Sequence, residues 1–153
     1  MEPIADLQLI HKEAQENFDG PASHLTAYSP SLNSIYSEVN GAPPHEHMLA
    51  PLHAALQYLL QNPGIPNWIA NVKNMGILEQ ESADWIANEY TTVVNQHGIR
   101  RLANVVPESA FGEAAMEQWT EGAAKAGVEG KMFTDLEEAK RWIKEGQTEQ
   151  AVS

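Results

Sequence analysis

Cysteine is absent from the 153 residues. That excludes disulfides, thiolate nucleophiles and cysteine-ligated zinc, and it leaves the redox compartment open, because oxidising and reducing settings both tolerate cysteine-free chains. Long apolar runs are missing too. No stretch reaches the roughly 20 residues that a helix needs to cross a bilayer. The start, Met1-Glu2-Pro3-Ile4-Ala5-Asp6, has neither the basic residues nor the apolar run of a signal peptide. A soluble, cytoplasmic protein with no membrane insertion is expected. Basic residues are scarce: 9 against 21 acidic ones, for a formal charge of −12. A polyanion such as DNA would be repelled on average, so nucleic acid is not an expected partner. Catalytic signatures are lacking as well, with no Gly-x-Ser-x-Gly elbow, no P-loop and no Gly-x-Gly-x-x-Gly turn.

What is present is organised around the stretch from Asn67 to Trp85, which reads as a strand, a loop and then a helix. Around it the chain alternates strand and helix signals, at a length that suits one domain. Ile4, Leu7, Ile10, Ala14 and Phe18, at steps of three and four, predict an amphipathic helix over residues 1–20, stopped by Asp19-Gly20-Pro21. His24 to Tyr28 and Ile35 to Val39 predict a hairpin. Met48, Leu49, Leu52, Leu56, Leu59 and Leu60 give a helical stripe, which Pro51 requires to begin near Ala50 or to kink.

Strands are then expected at Trp68 to Val72, Arg101 to Val106 and Glu129 to Phe133. Helices are expected over residues 80–97, 109–126 and from Thr134 onward, the last opened by a Thr134/Glu137 capping box, with a polar tail over 147–153. Such alternation implies a largely parallel sheet with the hairpin as an antiparallel edge.

In sheets of that kind, ligands meet the carboxyl ends of the strands, which directs attention to the segment between Asn71 and Ser82. Asn71 and Asn104 stand mid-strand in matching triplets, Ala70-Asn71-Val72 and Ala103-Asn104-Val105. As buried amides they need partners, so they are expected either to bond across the sheet or to face a shared polar pocket. Trp85 and Trp119 follow at similar distances, one in each helix. Glu79, Glu81 and Asp84 cluster at a helix start, where acidic residues favour the positive dipole end and where an acid/base pair is also conceivable. His45, His47 and His53 differ by two, six and eight positions, which does not align them on one helix face, so no metal site is expected. His97 is expected at a helix end, in favourable contact with the dipole.

The succession of hairpin, helix, WIANVKNMG, ESADWI, GIRRLANVVPESAF and FTDLEEAKRWI resembles the STAS-like (SpoIIAA-like) bacterial proteins related to the sporulation anti-sigma factor antagonist, in particular the stand-alone group, over residues 22–146. The resemblance implies a single α/β domain with the first helix as an addition, and a role in protein-protein regulation or ligand sensing. Where that group typically carries an Asp-Asn-Arg-like run, this chain has Asn71-Val72-Lys73-Asn74-Met75-Gly76, so an amide replaces the acid. The serine phosphorylated in the anti-sigma antagonists would fall near Glu79 or Gln80. Ser82 is displaced from it, and Glu79 would hold a permanent charge in place of a phosphate. A related resemblance, to CRAL-TRIO lipid-transfer domains, implies an apolar-ligand pocket.

The expectation is therefore a non-enzymatic module, without cofactor or metal, that binds a protein partner or small ligand through Asn71, Lys73, Glu79, Ser82, Trp85 and Asn104. The alternatives are a carrier or sensor of an apolar, lipid-like molecule and an enzyme built on Glu79, Glu81 and Asp84. Homodimer formation is compatible with an exposed helix face.

Overall fold

A computed structural model describes residues 4, 6–17, 20–75, 80–85, 89–106, 121, 124 and 127–152. Six strands form one sheet in the order β1 (Gln8–Asn17), β2 (Gly20–Ser29), β3 (Ser34–Gly41), β4 (Asn67–Met75), β5 (Arg101–Val105) and β6 (Glu129–Phe133). The first three pair antiparallel, and β3 to β6 pair parallel. Helix α1 (His45–Gln61) connects β3 to β4, α2 (Gln80–Trp85) and α3 (Thr91–Gln96) follow β4, and α4 (Leu136–Val152) follows β6. Among the described residues no helix is long and apolar enough to cross a membrane.

Period-two alternation divides the core into two layers. Ile35, Val39, Trp68, Ala70, Val72, Leu102 and Val106 face α1, where they pack with Met48, Leu52, Ala55 and Leu59. Tyr36, Ile69, Ala103 and Val105 face the other way and pack with Ala139, Trp142 and Ile143 of α4.

The helix expected over residues 1–20 is not formed. Residues 8–17, half of that segment, are β1, antiparallel to β2. The apolar steps of three and four are genuine, yet a ladder of hydrogen bonds along β2 outweighs so weak a local preference. Ile4 still reaches the core, in the layer with Leu32 and Tyr36, whereas Leu9 is left 65% exposed. The antiparallel edge thus has three strands rather than two.

Pro51 neither starts nor ends a helix: α1 runs through it from His45. Proline has no N–H to give the carbonyl four residues earlier, here that of His47. The buried ring of His24 hydrogen-bonds to the backbone of His47 and Met48, so an imidazole stands in for the missing donor. Thr26 Oγ1 also donates to the Pro51 carbonyl, at 3.0 Å. A β2 side-chain pair therefore secures α1 at its proline.

Of the helix expected over 80–97, the described residues 80–85 and 91–96 are helical, with a π-type turn at residues 89–90 leading into α3. Gly98 ends α3 with φ +111°, a conformation that suits glycine. The α4 cap is Asp135 rather than Thr134, since the Asp135 carboxylate accepts the Glu137 N–H at 3.1 Å. The helix over 109–126, with Trp119, lies outside the described residues apart from positions 121 and 124.

Candidate site at the carboxyl rim of the sheet

Sheet register decides which of the expected residues meet. Asn104 pairs with Ala70, and Asn71 pairs with Val105. Paired residues share a face, so the one-residue offset sends the two asparagines to opposite sides of the sheet. They do not bond to one another or share a pocket. Asn104 is wholly buried on the α1 side, while Asn71 is half-buried on the α4 side.

Trp85 belongs with the α1 layer. It stacks on His53, with centroids 5.6 Å apart and planes at 23°, and meets Tyr90 at 5.1 Å. Tyr90 in turn lies edge-on to Trp68, and its hydroxyl donates to the Leu52 carbonyl at 2.6 Å. Burial pushes the Tyr90 phenol well above its ordinary pKa. These rings wedge α1 against α2 and α3. His45 adds a 3.6 Å contact to Glu81. Among the described residues, no group of three His, Asp or Glu side chains could hold a metal ion. Glu79 lies outside the described residues, as does the side chain of Ser82; Glu81 and Asp84 are exposed.

Asn71 and Lys73 are brought together on the α4 face. Asn71 Oδ1 accepts the Lys73 N–H at 3.3 Å, and the Lys73 ammonium reaches across the end of β5 to the Thr134 carbonyl at 3.0 Å. In the other direction Asn71 Nδ2 donates to the Tyr36 hydroxyl at 3.0 Å, which donates to Glu38 Oε1 at 2.8 Å. Asn40 Nδ2 lies 3.2 Å from Glu38 Oε2 and 3.1 Å from Ser23 Oγ. A chain of polar groups therefore runs from Ser23 on β2 to Thr134 at the foot of α4.

Tyr36, Glu38 and Asn40 were missing from the set expected from sequence. A signal for them exists: Ser34-Ile35-Tyr36-Ser37-Glu38-Val39-Asn40 alternates with period two, so a strand there turns Tyr36, Glu38 and Asn40 to one side. Only the parallel pairing of β3 with β4, which sets Glu38 opposite Asn71, connects that side to the expected site.

No family model matches the chain, and no curated protein matches it in sequence. Among solved structures the chain is similar to an uncharacterized protein of the DUF3478 family from Shewanella loihica PV-4, described as having a SpoIIAA-like fold. That likeness covers 90% of this chain and 94% of the other, with a TM-score of 0.52 and 17% identity. At that identity the likeness concerns architecture, and the mixed six-stranded sheet described above is accordingly a SpoIIAA-like fold.

Proposed function

We propose that this protein is a non-enzymatic binding module that recognises a small ligand or a segment of a protein partner at the carboxyl rim, on the face where Asn71 and Lys73 meet Glu38 and Asn40. The observation that carries this reading is the polar chain from Ser23 to Thr134. Its donors and acceptors converge from three strands and the turn before α4 onto one strip, and partly buried Leu25, Phe133 and Leu136 belong to the same layer. A few fixed polar groups among apolar walls is the usual make-up of a recognition site. The non-enzymatic part of the reading is supported by the exposure of Glu81 and Asp84 on α2, which packs on α1 across the sheet from the polar chain. Net charge of −12 directs the search away from nucleic acid.

The test is a titration of isotope-labelled protein followed by amide correlation spectra. Neutral amides, carboxylates, ammonium ions and a fatty acid are added separately. The rim reading expects at least one polar class to shift the amides of residues 38–41, 71–74 and 134–136 saturably. Shifts confined to other regions would refute it. Shifts from the fatty acid alone would favour the carrier of apolar molecules instead.

A further inference from the structure

Glu38 sits in a row that crosses the whole sheet on one face: Lys12, Leu25, Glu38, Asn71, Val105 and Phe133 are successive register partners. Val105 lies in the layer that α4 covers, and Phe133 meets Trp142 of α4 at 5.8 Å. Helix α4 packs on β4, β5 and β6, so Glu38 on β3 lies beside it rather than beneath it and stays half-buried. Its carboxylate is fixed in place by the Tyr36 hydroxyl and the Asn40 amide. Both donors are neutral. They orient the negative charge without cancelling it.

Among the described residues no lysine, arginine or histidine is ion-paired with Glu38. Lys12 shares the row but stands two strands away, about 9.5 Å at ordinary strand spacing. Lys73 is engaged with the Thr134 carbonyl. A half-withdrawn carboxylate keeps lone pairs for a cation, and the protein's net charge of −12 draws cations towards it. Leu25, the register partner of Glu38 on β2, is partly buried on the same face. That apolar neighbour suits an alkyl chain better than a hydrated metal ion, and one carboxylate beside amides is too few oxygen ligands for calcium.

We propose that Glu38, with Tyr36, Asn40 and Asn71 around it, binds the primary ammonium group of a small amine whose apolar chain lies along Leu25. The proposal deepens the rim reading and rests on it. An ammonium offers three donors. Glu38 takes one with its charge, and Asn71 Oδ1 has a lone pair beyond the one used by the Lys73 N–H.

The experiment titrates hexylammonium chloride into the full chain at pH 7, alongside hexanol, hexanamide and hexanoate, with amide spectra as the readout. Hexylammonium is expected to shift residues 38–40 and 71–73 saturably and to bind at least tenfold more tightly than hexanol. Glu38→Gln is expected to lose at least tenfold in affinity. Raising salt from 50 to 500 mM should weaken wild-type binding severalfold, a measurement that needs no variant. Unchanged affinity in Glu38→Gln, or salt-independent binding, overturns the proposal. If hexanoate or hexanamide shifts the rim and hexylammonium does not, the cation assignment falls and the rim reading stands. If no probe shifts the rim, both fall.

Discussion

Acid should loosen this protein through His24 before it does so through the carboxylate of Asp6. The ring is 1% exposed, beneath the first turns of α1. Burial drives its pKa down from the ordinary 6.5 to about 4, against the opposing pull of its hydrogen bonds to the His47 and Met48 backbone. Nearby His11 lowers it further and Glu13 raises it. The unfolded chain takes up a proton near pH 6.5, and the folded chain refuses it until about pH 4. The stability at stake is therefore fully present above pH 6.5 and drains away as pH falls towards 4. At about 1.4 kcal/mol per pH unit, the loss comes to about 3 kcal/mol.

That is a large part of the roughly 5–15 kcal/mol a domain of this kind possesses. With a urea dependence of about 2 kcal/mol per molar, the unfolding midpoint should drop by about 1.5 M between pH 7.5 and 4. Asp6 does not obscure the window. Burial pushes its carboxyl up, but hydrogen bonds from the Ser31 N–H and the Ser29 and Ser31 hydroxyls outweigh that and hold it below 3.8, so its share is lost only at lower pH. In His24→Gln, an uncharged donor replaces the imidazole and the slope between pH 6.5 and 4 should flatten. The ring protons of His24 should meanwhile report a neutral imidazole at pH 5 by NMR. A wild-type midpoint that does not move between pH 7.5 and 4, or an equal slope in the variant, would refute the reasoning.

Three further outcomes follow from packing. Gly41 has φ +67°, and an added Cβ would lie 2.6 Å from the Pro21 carbonyl oxygen, so Gly41→Ala should cost about 2 kcal/mol or more, seen as a lowered melting temperature. Gly146→Ala would overlap the Arg101 guanidinium, which now lies 3.9 Å over the Trp142 ring and donates to the Trp142 carbonyl. Because that arm can swing away, the stability loss should stay near 1 kcal/mol, while tryptophan fluorescence changes measurably. Asn104→Asp would place a carboxyl at a wholly buried position. Its folded pKa should rise, so this variant should lose stability as pH climbs above 4, by roughly 4 kcal/mol at pH 8, the reverse of the His24 effect; a pH-independent loss would contradict it.

Strands β2 to β6 and helix α1 were legible in the sequence because each has a strong local signature. Alternation in β3, the leucine stripe of α1 and the glycines after the helices all report constraints that neighbouring residues impose on one another. Residues 1–20 were misread because steps of three and four describe only which side chains are apolar; the open edge of β2, invisible from that segment, decided that it extends. The candidate site was half legible for the same reason. Asn71 and Lys73 stand two apart on one strand, and their association needs nothing beyond a strand's period. Whether Asn71 would share a face with Asn104 depended on a register offset of a single residue between β4 and β5, and its place beside Glu38 depended on the register of β3 with β4. A strand's sequence fixes which residues share a side, whereas the alignment of neighbouring strands comes from packing the two core layers at once, so only the folded sheet could set Glu38 beside Asn71 and send Asn104 to the opposite face.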